Sequence, residues 1–166
     1  AWVYDVDFVD PLRGWALSPQ QGRLAYRTTD GGDIWVVQEQ PETPPDWTYS
    51  PHYDQIIFAD TGHGWIAGAG RLLRTTDGGV SWQQINDPPE GGEQRCRFNF
   101  ATALLGWQVC SSSSAPPAIE TTWIWAAQTT DGGLSWRTLT SETQSTYQGL
   151  GNVHRAVDFL DDREGW

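Results

Sequence analysis

The chain has 166 residues, of which 38% are apolar and 19% charged, and its 11 tryptophans must supply much of any core. Its 10 basic residues, all arginine, stand against 21 acidic ones, and the net charge of −11 repels phosphate backbones and excludes nucleic acid as a partner. No apolar run of about 18 residues exists, so no transmembrane helix is expected within the chain, and no basic segment followed by an apolar one opens it as a signal peptide would.

The elements predicted in chain order are strands and turns, as 18 glycines and 10 prolines suggest. Residues 5–8, Asp-Val-Asp-Phe, alternate polar and apolar side chains as a half-buried strand does. A turn containing Asp10 and Pro11 leads to Gly14-Trp15 and a second strand. A third strand ends at Thr28-Thr29-Asp30, the pair Gly31-Gly32 permits a tight turn, and a fourth strand starts at Trp35. The same order then recurs. Strands are expected up to Phe58, from Gly64-Trp65, up to Asp77 and from Trp82, and again up to Phe100, from Gly106-Trp107, up to Asp131 and from Trp136. A fourth copy reaches Phe159 and Gly165-Trp166.

The repetition decides the fold class. In all four copies the phenylalanine precedes the Gly-Trp tryptophan by seven positions: Phe8, Phe58, Phe100 and Phe159 before Trp15, Trp65, Trp107 and Trp166. Intervals between copies of 50, 42 and 59 residues confine the length variation to loops. Four antiparallel strands per repeat predict an all-β chain, a β-propeller of four-stranded blades. The expected blades are 1–48, 49–94 and 95–152, with the start of a fourth at 153–166, all in one propeller domain. Propellers close with about four to eight blades, so about three and a third are expected to belong to a six- to eight-bladed ring. A seven-bladed ring would need roughly 330 residues. The lack of any methionine, even at position 1, is read the same way, as the mark of a longer chain; two copies completing one another is the alternative.

The turn motif carries a resemblance. Its copies are Thr28, Asp30, Gly32, Trp35; Thr75, Asp77, Gly79, Ser81, Trp82; and Thr129, Asp131, Gly133, Ser135, Trp136. This pattern resembles the Asp-box, or BNR repeat, and the first copy departs from it at Ile34, where Ser or Thr is usual. Combined with the Phe-to-Gly-Trp strand pair, it resembles the photosystem II stability/assembly factor-like family along essentially the whole chain. For photosynthetic members the resemblance implies help in assembling a reaction-centre complex. The recurring aspartates are read as turn residues that accept backbone hydrogen bonds, and the tryptophans as packing between strands and blades with the indole N–H near a partner. Gly14, Gly64, Gly106 and Gly165 are read as sites of close backbone approach or a bulge. Asp10, Asp60 and Asp161, each two residues after the strand phenylalanine, are likewise assigned to turns.

Function is expected in the loops that do not repeat. Residues 41–54 carry Trp47, Tyr49 and Tyr53, which suit protein or sugar contact or a cover between blades. Residues 110–125 are expected as an insertion with a flexible Ser/Pro part and Trp123 and Trp125 on one strand face. Residues 141–155 form the third loop. Cys96 and Cys110 flank the first hairpin of the third repeat. If Phe100 faces Trp107 they are one residue out of register, within reach of a bulge, so a disulfide is expected, with two free thiols as the alternative. The histidines His52, His63 and His154 are scattered, and with the cysteines they give no zinc spacing. No nucleophile, Walker or metalloprotease motif occurs.

These residues imply no catalytic residue, metal or cofactor. The expected function is a non-enzymatic, extracytoplasmic scaffold that binds another protein or a larger assembly, reaching a membrane only through that partner or an anchor elsewhere. The alternatives are a carbohydrate-binding module or a sialidase- or xyloglucanase-like fragment, with a glycan as ligand, and a structural surface-layer or filament subunit.

Overall fold

The computed structural model describes residues 3–18, 25–38, 53–68, 71–86, 94–113 and 121–145. Among them there are only strands and turns, arranged as three four-stranded antiparallel sheets. The first sheet contains β1 (Asp5–Phe8), β2 (Gly14–Leu17), β3 (Ala25–Thr28) and β4 (Val36–Val37). The second contains β5 (Gln55–Phe58), β6 (Gly64–Gly68), β7 (Arg71–Thr75) and β8 (Gln83–Asn86). The third contains β9 (Gln94–Phe100), β10 (Gly106–Ser113), β11 (Thr121–Thr129) and β12 (Arg137–Ser145). In each sheet the strands lie in sequence order, the arrangement expected of a propeller blade.

The chain divides into two compact units, Ala1–Asp87 and Pro88–Trp166. The first unit holds two sheets and one shared core. Its second strands read as continuous runs of small and apolar residues, Gly-Trp-Ala-Leu and Gly-Trp-Ile-Ala-Gly, and every residue of both is buried. Trp15 and Leu17 from the first sheet and Tyr53, Ile56, Phe58 and Trp82 from the second belong to that core. The strands that open the two sheets behave differently. In β5, Ile56 and Phe58 are buried, whereas in β1 the apolar Val6 and Phe8 are more exposed than Asp5 and Asp7. The alternation of residues 5–8 is therefore present, with its apolar side turned toward solvent.

The second unit holds the third sheet. Its strands reach seven to nine residues, longer than those of the other two. Two stretches expected as loops are strand in their described parts. Residues 111–113 pair with 122–124, and 141–145 pair with 121–125. The β-branched and aromatic run Thr-Thr-Trp-Ile-Trp favours an extended, paired backbone and lets the hairpin continue past Cys110. The remainder of the Ser/Pro segment, 114–120, lies outside the described residues, as do 146–166 with the fourth repeat copy.

Candidate functional site

The three Asp-box turns have one hydrogen-bond plan. Each threonine is buried at the end of a third strand, where its Oγ1 donates to the aspartate Oδ1: Thr28 to Asp30 and Thr75 to Asp77 at 2.7 Å, Thr129 to Asp131 at 2.8 Å. The same Oγ1 accepts the amide of the second glycine, Gly32, Gly79 or Gly133, at 2.9 Å. Oδ1 of the aspartate then accepts the amide four residues on, from Ile34, Ser81 or Ser135. Both glycines of each turn have positive φ, between 75° and 101°, which a residue with Cβ rarely adopts. The first glycine amide donates to the turn between the first two strands, from Gly31 to Leu12, Gly78 to Gly62 and Gly132 to Leu104. Each Asp-box thus ties its own turn and clamps the neighbouring one.

These bonds hold the carboxylates in their charged form. Ser135 donates through both its hydroxyl and its amide and, with Thr129, lowers Asp131 to about 2. At Asp77 desolvation pushes upward, but the Ser81 hydroxyl and amide and the Thr75 hydroxyl outweigh it and leave the group at about 2. Asp30 is lowered by the Ile34 amide and the Thr28 hydroxyl, and Ile34 has no hydroxyl to add. The first turns repeat the device with other residues. Asp10 accepts the amides of Leu12 and Arg13, Asp60 those of Gly62 and His63, and Thr102 Oγ1 those of Leu104 and Leu105. His63 is also paired to Asp60 at 2.9 Å.

The Gly-Trp pairs are explained by the register. Phe8 lies opposite Gly14, Phe58 opposite Gly64 and Phe100 opposite Gly106, with no bulge at any of them. A Cβ on Gly14 would sit 2.6 Å from the Phe8 ring, so the glycine makes room for a ring lying across the ladder. Phe100 therefore faces Gly106 rather than Trp107, and this puts Cys96 directly opposite Cys110, where they form a disulfide without a bulge. The bulges that do occur lie between Leu72 and Leu73 and between Ala126 and Ala127.

The tryptophans divide into two kinds. The Asp-box tryptophans close on the strand phenylalanine of their own sheet: Trp35 on Phe8, Trp82 on Phe58, Trp136 on Phe98 and Phe100. Trp82 Nε1 is buried with no partner among the described residues, contrary to the expectation that each indole N–H keeps one. Trp15, of the other kind, crosses between the two sheets of the first unit. It stacks on Phe58 at 3.6 Å and 7°, and its Nε1 donates to the Gly78 carbonyl at 2.8 Å.

A second link between these sheets had no recognised signal. Asp5 accepts the Ile56 amide at 2.9 Å and Asp7 the Phe58 amide at 2.6 Å, so two carboxylates of β1 satisfy the open edge of β5. Burial raises the Asp7 carboxyl above its ordinary value, against the lowering effect of the Phe58 and Phe8 amides. The Asp-Val-Asp-Phe spelling showed the carboxylates, but their partners are 51 residues away in sequence.

Of the residues assigned to binding loops, Tyr53 is buried in the core and offers no ring to a ligand. Trp125 is half-buried opposite Cys110, and Trp123 stands opposite Ser112 in the ladder. Trp47 and Tyr49 lie outside the described residues, as do His52 and His154. Among the described residues no three His, Cys, Asp or Glu side chains are placed to hold a metal ion, and no helix is long and apolar enough to cross a membrane.

Residues 1–90, more than half of the chain, match the family model described as photosynthesis system II assembly factor YCF48. The chain belongs to the YCF48 family. It is 30% identical over 149 residues to the photosystem II assembly lipoprotein Ycf48 of Synechococcus sp. (strain CC9902), covering 88% of this chain and 39% of that one. The solved structure of YCF48 from Cyanidioschyzon merolae matches with a TM-score of 0.52 and 22% identity over 85% of this chain and 40% of that one, a likeness of fold. This YCF48-family chain thus spans about two-fifths of the length of these relatives. The fold is that of a partial β-propeller built from Asp-box repeats, in agreement with the sequence pattern.

Proposed function

We propose that this chain acts as a non-enzymatic propeller scaffold outside the cytoplasm, binding another protein within a larger membrane or surface assembly. The observation that carries this reading is membership of the YCF48 family over residues 1–90, together with a relative named as an assembly lipoprotein. The acids of the repeats also favour it. Asp30, Asp77 and Asp131 spend their oxygens on their own turns, which suits a scaffold better than a catalytic pair. The Cys96–Cys110 bond favours an oxidising compartment, as a lipoprotein relative does. The ranges 1–48, 49–94 and 95–152 are assigned as successive blades, and 153–166 as the start of a fourth. Partner contacts are assigned to Trp47 and Tyr49 of the loop 41–54 and to Trp123 and Trp125 of β11, on an acidic surface.

The test is chemical cross-linking of the tagged chain to membranes of its source cells, followed by identification of the captured subunits. One discrete multisubunit complex, retained in the presence of soluble oligosaccharides, is the expected outcome. Saturable binding on a glycan array, or turnover of a glycan, with no complex captured, would overturn the reading.

A further inference from the structure

The three repeats serve as internal controls for one another. Two positions beside each Asp-box face solvent in every sheet: Ile34, Ser81 and Ser135, and two residues further on Val36, Gln83 and Arg137. The second and third repeats fill them with polar side chains, as is usual for exposed positions. The first repeat alone fills them with isoleucine and valine, 65% and 59% exposed. Leu12, 57% exposed, stands at the same end of the sheet, because the Gly31 amide donates to its carbonyl and ties the two turns together.

The exchange weakens the turn. Ser81 and Ser135 donate their hydroxyls to the box aspartate, whereas Ile34 offers Asp30 only its amide. Burial does not offset the loss. Val36 lies opposite Arg27, and Arg27 opposite Trp15, so Val36 is on the side of its sheet that packs on the second one. It stays exposed with that neighbour in place. A local rule broken with no gain to the fold marks a surface with a task.

The charges at this end are unbalanced. Arg13 is paired with Asp10 at 2.9 Å, and Arg27 lies over the Trp15 ring at 5.6 Å. Asp30 and Asp33 are exposed, and neither has an ion-pair partner among the described residues. Asp33 stands where the other repeats carry Val80 and Leu134, so the first repeat has acid and apolar side chains in exchanged places.

We infer that Leu12, Ile34 and Val36, flanked by Asp30 and Asp33, form a docking surface for a protein segment that presents apolar side chains beside arginine or lysine. Apolar contact supplies the affinity, and the carboxylates select the charge of the partner. The inference rests on the scaffold reading above and gives the chemistry of the partner.

The test compares the full wild-type chain with the double variant Ile34→Ser/Val36→Gln, which gives the first repeat the residues of the second. The probe is a synthetic amphipathic helix of leucine and lysine, followed by fluorescence anisotropy. A leucine–glutamate helix controls for charge and a serine–lysine peptide for apolar contact. Saturable binding of the leucine–lysine probe is expected, with binding about tenfold or more weaker for the double variant and for either control peptide. Val80→Ser removes a similarly exposed side chain from the second sheet and should change nothing. The double variant should melt no lower than wild type, so that its weaker binding is not unfolding. Equal binding by the double variant, equal binding of the leucine–glutamate helix, or no binding would overturn the inference. So would phosphatidylcholine vesicles that bind wild type and not the double variant, or a dimer of the chain that the double variant converts to monomer, since the occupant would then be a membrane or a second copy. In cross-linking to source-cell membranes, capture of a complex by wild type and its loss in the double variant are expected. Equal capture by both overturns this inference and leaves the scaffold reading standing. No capture by either overturns the scaffold reading and this inference with it.

Discussion

At the scale of single residues, the Asp-box is a local device in which one threonine and one aspartate satisfy several turn amides. Replacing Asp77 with alanine strands the amide and hydroxyl of Ser81 and the Thr75 hydroxyl, and the largely exposed site limits the loss to about 1–2 kcal/mol. Urea unfolding measures it directly. Asp77 and Asp131 sit at about 2 against an ordinary 3.8, so the native state binds their protons less readily than the unfolded chain does. Their stabilisation is complete above about pH 4 and is lost as pH falls through about 2. The gap between wild type and Asp77→Ala should therefore close on acidification, and a gap constant from pH 7 to 2 would contradict the assignment. Ile34 offers the reverse experiment. It is 65% exposed, so Ile34→Ser sacrifices little packing and supplies the hydroxyl that the other two boxes use. A higher melting temperature and a lower titration midpoint for Asp30 are expected, the latter read by carboxyl NMR.

At the scale of elements, the unit is the hairpin in which a phenylalanine lies across a glycine. Gly64→Ala would drive a methyl group into the Phe58 ring, which is already held by Trp15 and Trp82. Overpacking of that kind costs about 1–3 kcal/mol, and thermal unfolding should show it as a lower midpoint. The same register sets Cys96 against Cys110 in the third sheet. Their bond closes a short loop, with 14 residues of separation, and reduction should destabilise the second unit by about 3 kcal/mol. Denaturant unfolding with and without reductant checks this, and hydrogen exchange should place the loss in β9 and β10. The Gly-Trp spelling announced a close approach, but not that a ring from the opposite strand supplies it. That depended on pairing register, which a sequence leaves open by one residue.

At the scale of the whole molecule, the joint between the first two sheets rests on Trp15 and on the carboxylates of β1. Asp7 binds its proton more readily in the native state than in the unfolded chain. Its contribution is therefore fully present below pH 3.8 and declines as pH rises through its raised native value. Asp7→Asn keeps an acceptor for the Phe58 amide without the charge, so it should gain on wild type as pH rises above about 4. Asp7→Ala leaves that amide without its acceptor and should cost about 1–3 kcal/mol near pH 4, a gap that narrows as pH rises. A difference between Asp7→Asn and wild type that does not vary with pH would remove the charge argument.

What the sequence by itself determined was the repeat, the all-β architecture and the turn chemistry of Asp30, Asp77 and Asp131. Each rests on short-range spacing, and hydrogen bonds over two to four residues need no knowledge of distant chain. The tertiary structure alone decided which face of each strand is covered. Phe8 and Phe58 occupy the same repeat position, yet only Phe58 is buried, because a tryptophan 43 residues earlier in the chain stacks on it. It also decided that Tyr53 is core, that residues 121–125 and 141–145 extend a sheet, and that Asp5 and Asp7 serve the edge of a different strand. Burial and edge satisfaction depend on what the fold brings alongside, and identical local motifs carry no record of it.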